Sequence, residues 1–220
     1  MRNERHPVRH ARSLALLALL ISLPPARAAE PPRLEDPKVQ YAIGMAHITG
    51  RGASKDPSEA VGWLRKAALL GHADAQVQLG ICYQQGLGID LDLVQALEWF
   101  RKAAAQGNPR GQLQVGLAYW RGRGVPQDLK QGLEYFRKAG ESGHPKAQVE
   151  LATAYREGRG VERDPVQAAF WFELAHAQGS PAARVGLPAI RDKLTDAQRS
   201  EVDERVAAWT RDHPPAEPGS

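Results

Sequence analysis

Hydrophobic and polar residues recur along this chain in a helical pattern that repeats every 36 residues. In one copy, Ala75, Leu79 and Tyr83 are four residues apart and form one stripe of a helix. A second stripe follows, in which Trp99 lies between two alanines. The pattern returns in four copies with no insertion between them. Self-similarity at a period of about 20–50 residues is typical of solenoids, so we predict stacked helical hairpins.

Glycine and aspartate mark the ends of the predicted helices. Glycines end the first helix of each copy, because glycine accepts the left-handed conformation found at helix C-termini. An aspartate begins the second helix as its N-cap, and Glu or Gln three residues later predicts a capping box. Pro57 and Pro165 occupy the first helical position, where a missing N–H costs nothing. The glycines are Gly50, Gly86, Gly122 and Gly158, and the aspartates are Asp56, Asp92, Asp128 and Asp164.

The large aromatic residue of each second helix is predicted to lie in the core. One hairpin cannot bury its own apolar stripe, whereas stacked hairpins can. Gly80 lies beside the stripe of its first helix, where the missing side chain lets another helix come close. The aromatic residues at equivalent positions, 36 residues apart, are Trp63, Trp99, Tyr135 and Trp171.

The repeated motif has a recognisable form, L-G-x-x-Y-x-x-G-x-G-[VI]-x-x-D-x-x-x-A-x-x-W-[FL]-x-K-A-A-x-x-G. It resembles the Sel1-like repeat, a relative of the tetratricopeptide repeat, of the exported bacterial type. The resemblance covers residues 37–182 and implies an all-α, right-handed solenoid of helix-turn-helix repeats. It is specific for the fold and weakly specific for function, because fold does not imply function. The expected repeats are approximately 37–72, 73–108, 109–144 and 145–180.

The pattern departs from the repeat near the C-terminus, where residues 183–211 are predicted to form capping helices. Val185 still fits the apolar stripe of a first helix, but Pro188 replaces the small residue of the earlier copies. Thr195 and Gln198 then form a capping box that begins another helix. This helix is expected to cover the last repeat, which a finite solenoid needs. Its apolar face consists of Val202, Val206 and Trp209.

The N-terminal residues 1–28 contain the three parts of a secretory signal in order. Arginines precede an apolar run of about ten residues, which is too short to span a bilayer, and Ala26-Arg27-Ala28 is a small-x-small cleavage sequence. We expect cleavage near Ala28 and a periplasmic or secreted product without membrane insertion. The alternative is an uncleaved amphipathic anchor. Residues 29–36 are predicted to be a linker, and residues 212–220 a disordered tail.

The charge balance excludes a nucleic-acid-binding surface. The chain has 29 basic and 25 acidic residues, and five arginines and one glutamate of these lie in residues 1–28. The remaining chain therefore carries 24 of each, with a formal net charge of zero. The high isoelectric point belongs to the signal rather than to a nucleic-acid-binding face.

No catalytic, cofactor or metal site is predicted. The one cysteine, Cys82, lies in a first helix and is interpreted as a packed thiol, with an intermolecular disulfide as the alternative. The seven histidines show no metal-binding spacing. The G-x-G pairs follow helices rather than strands, so they are interpreted as turns and not as phosphate loops.

Two functions remain open for this chain. The first is a monomeric, non-enzymatic interaction module that binds a peptide or protein of unknown identity. The second is a hydrolase or binder that acts on the cell wall or on β-lactams, as the resemblance to secreted Sel1-like proteins implies. Those proteins carry paired cysteines in each repeat, which this chain lacks. The absence of an assembled catalytic motif favours the interaction module.

The expected binding surface follows from the related tetratricopeptide fold, in which the first helix of each pair lines the concave side. Trp and Arg are enriched among binding hot spots, so Trp120 with its neighbouring arginines is the predicted centre of the groove. The alternative is that Trp120 packs against a neighbouring helix. An acidic group of the partner is expected near Arg110 and Arg121. The predicted binding residues are Tyr41, Met45, Val77, Ile81, Arg110, Leu113, Leu117, Trp120, Arg121 and Arg156, with Ile48, Thr49, Gln84, Gln85, Lys146, Val149 and Thr153 also facing inward.

Overall fold

The computed structural model describes residues 34–214, which fold into ten α-helices with no strand among them. The predicted all-α solenoid is confirmed. The predicted signal sequence, most of the linker and the last six residues of the tail lie outside the described residues. The first eight helices each contain 13 residues. The helices are α1 (Pro37–Thr49), α2 (Pro57–Leu69), α3 (Ala73–Gln85), α4 (Leu93–Ala105), α5 (Pro109–Arg121), α6 (Leu129–Glu141), α7 (Pro145–Glu157), α8 (Pro165–Ala177), α9 (Pro181–Arg191) and α10 (Asp196–Asp212).

Contacts in the array are local along the chain. Each helix from α1 to α8 packs against the helix that follows it, and α10 returns to pack against α8. Each repeat therefore depends only on its neighbours, which is the arrangement that defines a solenoid.

Two glycines serve different purposes in the turn between the helices of a repeat. Gly86 ends α3 with a φ of 67°, and its N–H donates to the carbonyl of Cys82. Gly88 lies so close to the preceding repeat that a Cβ atom would stand 2.2 Å from the carbonyl oxygen of Pro57. The first glycine is required for its conformation. The second is also required because the turn packs on the start of the previous repeat's second helix.

The four predicted aspartates act as N-caps, but they form only half of a capping box. The Asp92 carboxylate accepts hydrogen bonds from the N–H groups of Val94 and Gln95, both at 2.9 Å. The N–H of Asp92 donates to the carbonyl of Tyr83 at 2.9 Å, and the other three aspartates bond to their first helices in the same way. Because that N–H is already used, the side chain at the third helical position does not accept from it, and Gln95 donates to Glu98 instead. A complete capping box forms at Thr195, as predicted.

The contact that joins the two helices of a repeat is between a glycine and a large apolar side chain. A Cβ atom on Gly80 would lie 2.5 Å from the ring of Phe100, and one on Gly116 would lie 2.6 Å from Phe136. Gly44 faces Leu64 in the same manner. Leu64, Phe100 and Phe136 are at most 1 % exposed. The missing side chain therefore lets the ring reach the backbone of the first helix.

The predicted aromatic position is adjacent to this core position rather than identical to it. Trp99 and Trp171 are buried, whereas Trp63 and Tyr135 are only half-buried, so the prediction that all four form the core is wrong. A lysine three residues later covers the ring of Trp99 at 3.9 Å, and the same pairing occurs at Trp63 and Tyr135. These rings lie at the rim of the core, where a cation can stack on their outer face.

The C-terminal helices continue the array with a shifted contact. In the fourth repeat Ala152 replaces the glycine, and Gly186 of α9 lies against the ring of Phe172, 2.7 Å from a hypothetical Cβ. Pro188 lies within α9 and does not end it. Val185, predicted to continue the apolar stripe, is 80 % exposed, so this part of the prediction is wrong. The apolar face of α10 packs on the core through Val202, which is fully buried, and through Val206 and Trp209.

An arginine–tyrosine hydrogen bond joins each repeat to the next. Arg101 of α4 donates to the hydroxyl of Tyr119 in α5 at 2.7 Å, and Arg65–Tyr83 and Arg137–Tyr155 are equivalent. The members of each pair are 18 residues apart. At the joint between the fourth repeat and α9, the equivalent positions hold Glu173 and Arg191, which form an ion pair, and Arg191 also bonds to Asp203 of α10.

A buried glutamine lies at the same position of all four first helices, and in the second and fourth repeats it connects consecutive second helices. The amide of Gln76 donates to the carbonyl of Ala68 at 3.0 Å and accepts from the amide of Gln106 at 2.8 Å. Gln148 makes the same two bonds, to Gly140 and from Gln178. In the first repeat the position of the donor holds Leu70, whose side chain has no hydrogen-bond donor. In the third repeat it holds Ser142, whose side chain is too short to reach the Oε1 atom of Gln112. The Oε1 atoms of Gln40 and Gln112 are correspondingly buried without a partner among the described residues.

We expect Gly80→Ala to lower the free energy of unfolding by about 1–3 kcal/mol, because the new methyl group overlaps the ring of Phe100. Gly62→Ala is the matched control. Gly62 is also helical, but nothing lies within 4 Å of its hypothetical Cβ, so the substitution should stabilise by about 0.5–1 kcal/mol. Urea unfolding of both variants measures the difference. Equal shifts would contradict the glycine–ring contact as the joint of the repeat.

Ser142→Gln should raise the free energy of unfolding by about 1 kcal/mol, because it supplies the missing donor to the buried Oε1 of Gln112. The reciprocal variant, Gln178→Ser, should lower it by about 1–3 kcal/mol, because it leaves the Oε1 of Gln148 without a partner. Thermal melting at one pH compares the two. A Ser142→Gln protein that melts no higher than the parent would show that the side chain at this position does not determine whether Gln112 is paired.

Candidate partner-binding site

The predicted binding residues lie on α1, α3, α5 and α7, the first helices of the four repeats. First helices of neighbouring repeats touch directly, α3 with α5 and α7 with α9. We call the solvent-accessible side chains of α1, α3, α5 and α7 the first-helix surface. Its predicted members differ greatly in how much of each side chain solvent reaches.

The predicted apolar centre of the groove is part of the core. Trp120 is 7 % exposed, packs against the ring of Phe136 at 5.6 Å and is covered by the guanidinium of Arg159 at 4.8 Å. Gly132 of α6 leaves room for the indole. The structure therefore matches the alternative interpretation of Trp120, because α5 lies in the middle of the array and is packed on several sides. The other buried members of the predicted set are Val77, Leu113 and Leu117.

Several accessible members of the predicted set are already engaged within the protein. Tyr41 stacks on the ring of His72 at 4.8 Å. Arg110 pairs with Asp74 at 3.6 Å, and Arg156 pairs with the adjacent Glu157 at 2.9 Å. Met45 and Ile81 are half-buried. Of the three predicted arginines, only Arg121 forms no ion pair with another described residue.

Arg121 belongs to a polar hollow on the first-helix surface, which we call the cationic depression. It has a volume of about 140 Å³ and receives side chains from three consecutive first helices and one turn. Its three cations are exposed, and no carboxylate of residues 34–214 forms an ion pair with any of them. The lining residues are Gln84 of α3, Gln114, Leu117 and Arg121 of α5, Arg123 of the following turn, and Lys146 of α7.

Sequence reasoning found part of this depression and missed the rest. Gln84, Leu117, Arg121 and Lys146 were assigned to the inner side through the resemblance to the tetratricopeptide fold. Gln114 lies one helical turn before Leu117, so the same periodicity could have included it. Arg123 follows Gly122 in a turn, where no helical period applies. Arg110 and Arg156, which were predicted to belong with Arg121, do not line the depression.

Comparison with known families gives one match over most of the chain. Four copies of the family described as Sel1 repeat match residues 37–72, 73–108, 109–144 and 145–180. The chain belongs to the Sel1 repeat family. Sel1 repeat proteins are typically protein-interaction scaffolds, and the fold is generally non-enzymatic. No curated protein sequence matches the chain.

Solved structures of other Sel1 repeat proteins share the fold. A Sel1 repeat protein from Oxalobacter formigenes is 30% identical with a TM-score of 0.68, over 81% of this chain and 70% of that one. The protective antigen c5321 of uropathogenic Escherichia coli is 28% identical with a TM-score of 0.54, over 80% of this chain and 46% of that one. The immunity protein Pa5087 from Pseudomonas aeruginosa, 21% identical with a TM-score of 0.52 over 80% of this chain and 69% of that one, shows the fold alone.

Other reactive groups of this Sel1 repeat protein are embedded in its structure. Cys82 is fully buried, and this burial raises the pKa of its thiol to about 11, so the thiolate needed for nucleophilic attack is scarce at neutral pH. Within the described part of the chain, no three metal-ligating side chains come together. None of the described helices is long and apolar enough to cross a membrane.

His144 differs from the other N-cap residues of the first helices in its hydrogen bonding, and the pKa of its side chain is lowered. It is the N-cap of α7 but makes no capping bond, whereas His72 at the equivalent position accepts from the N–H of Ala75 at 3.2 Å. The Nδ1 atom of His144 is buried and has no partner among the described residues. Burial, and more weakly the charges of Arg110 and Lys146, lower the pKa of His144 below its ordinary value.

We expect His144→Asn to reduce the loss of stability in mild acid. Because the folded-state pKa of His144 is lowered, the unfolded chain binds a proton first as the pH falls below about 6.5, and this favours unfolding. Asparagine cannot be protonated in this range, and Asn108 caps the equivalent helix by accepting from the N–H of Gly111. Melting temperatures at pH 7.5 and 5.5 test this. The variant should melt higher at both pH values and lose less between them. Equal losses in variant and parent would contradict the assignment.

Proposed function

We propose that this Sel1 repeat protein is an exported, non-enzymatic scaffold that holds a peptide or protein partner on its first-helix surface. The observation that carries the proposal is that three consecutive first helices contribute accessible polar side chains to one depression. Extended surfaces built from successive repeats are the binding surfaces that solenoids provide. The resemblance to tetratricopeptide repeats supports the assignment of this surface to the concave side.

The chemistry of the first-helix surface changes along the array, whereas that of the core does not. Gln85, Arg121 and Glu157 occupy equivalent positions in the second, third and fourth repeats, and they are neutral, positive and negative. The ring-bearing core position holds Phe100, Phe136 and Phe172 in the same repeats. A uniform core with a varied surface supports recognition of one partner in one register.

Export is supported by the order of the arginines, the apolar run and Ala26-Arg27-Ala28 in residues 1–28. These residues lie outside the described part of the chain, so the proposal rests on the sequence pattern. N-terminal sequencing of the protein from an envelope fraction should begin just after Ala28. A sequence that begins at Met1 would contradict cleavage and would leave the uncleaved anchor.

A photo-reactive amino acid placed at Gln85 or Ile81 should cross-link the native partner in the envelope fraction. Both positions lie on the first-helix surface. Glu98 and Glu134 are the matched controls, because they are exposed at equivalent positions of the second helices α4 and α6. The four proteins should be compared after their melting temperatures are shown to agree. Equal cross-linking from both sets, or cross-linking only from the second helices, would contradict the assignment of the surface.

A further inference from the structure

We propose that the cationic depression is a carboxylate-recognition site for an acidic side chain of an extended peptide partner, and that it fixes the register of that peptide. The inference rests on the proposed scaffold function and names the chemistry of the partner at one point of the array. It moves the expected acidic contact away from Arg110 and onto Arg121, Arg123 and Lys146.

The cations of the depression differ from the neighbouring arginines in charge pairing. The neighbouring arginines have internal partners: Arg110 pairs with Asp74, Arg156 pairs with Glu157, and Arg159 covers the ring of Trp120. The three cations of the depression form no ion pair with any carboxylate in residues 34–214. Converging like charges repel one another unless an anion lies between them, so the site is complementary to a negative group.

Two glutamines line the depression beside the cations and carry further hydrogen-bond donors. The side-chain amides of Gln84 and Gln114 form no hydrogen bond within the described residues, and each carries two N–H donors. An arginine guanidinium offers a planar pair of donors that matches both oxygens of a carboxylate. These donors come from α3, α5 and the turn after α5, so more than one element supplies hydrogen bonds to the hollow.

The depression is small, and its lining residues are mainly polar. A volume of about 140 Å³ accommodates a carboxylate with its last methylene groups. Leu117 is the one apolar lining residue, and it is 6 % exposed. The depression is therefore a small polar site rather than a pocket for a large apolar side chain, which matches an aspartate or glutamate of a chain lying along the first-helix surface.

The combination of Arg121, Arg123 and Lys146 occurs once in the array. The position of Arg121 holds Gln85 in the preceding repeat and Glu157 in the following one. The position of Arg123 holds Leu87 in the preceding repeat and Arg159, which covers the ring of Trp120, in the following one. A peptide that slides by one repeat along the first-helix surface therefore loses the favourable contact, or meets a carboxylate. The site sets register by attraction at one repeat and repulsion at the next.

Fluorescence anisotropy of fluorescein-labelled hexaglutamate at physiological salt tests the site, with hexaglutamine as the neutral peptide. The full chain should bind hexaglutamate and not hexaglutamine. Arg121→Gln and Lys146→Gln should each weaken binding by about tenfold or more, since each removes a charge-assisted hydrogen bond. Arg51→Gln is the matched control, because Arg51 is exposed at the position equivalent to Arg123 in the first repeat. It should change the affinity by about twofold or less, since distant surface charges are screened.

Three outcomes would overturn the proposal. Equal weakening by Arg51→Gln and Arg121→Gln would show a general charge effect. No binding of hexaglutamate would remove the site. Inorganic phosphate that competes at the peptide's own concentration would show a site for free anions rather than peptides. The photo-cross-linking experiment separates these failures from a failure of the scaffold function. If the native partner cross-links at Ile81 and Gln85 equally well in the Arg121→Gln protein, the carboxylate site is wrong and the scaffold function stands.

Discussion

The close approach of a glycine on one helix to a large apolar side chain on the next determines the geometry of the first three repeats. In the second and third repeats the ring of a phenylalanine lies directly on the backbone of the first helix, at Gly80 and at Gly116. A methyl group at either glycine would occupy the same space as the ring. The distance between paired helices, and therefore the spacing of first helices along the array, follows from this contact. The cationic depression depends on it indirectly, because its lining residues come from first helices held at that spacing.

Much of this architecture could be predicted from the sequence, because its signals are local. A glycine at a helix end and an aspartate before the next helix specify conformations that depend on few residues. Local signals do not specify in the same way which aromatic ring lies in the core. Residues 99 and 100 are both large and aromatic, and Ala96 and Ala103 lie one helical turn from either of them. Periodicity cannot decide which of two adjacent large residues points inwards, so the aromatic position chosen from the sequence was wrong for the first and third repeats, where Trp63 and Tyr135 are only half-buried.

The binding site could be predicted only in part, because its members are brought together by packing between repeats. Trp120 has the composition of a binding residue, yet Gly132 of the following helix makes room for its indole in the core. Asp74 removes Arg110 from the site through a contact that spans two repeats. Arg123 enters the site from a turn. None of these facts follows from the position of a residue within its own helix.

The joint between the fourth repeat and α9 uses a different residue pair from the first three joints, so the C-terminal end of the array differs from the rest. The first three joints use an arginine on the second helix and a tyrosine on the next first helix, so each of these joints forms the same hydrogen bond. The fourth repeat presents Glu173, which is matched by Arg191 and, through it, by Asp203. A duplicated copy of the second repeat would therefore keep the arginine–tyrosine hydrogen bond after the first, second or third repeat, whereas after the fourth its tyrosine would face Glu173 instead of an arginine. Such an array can lengthen internally by duplication while its terminal helices stay attached to the same last repeat.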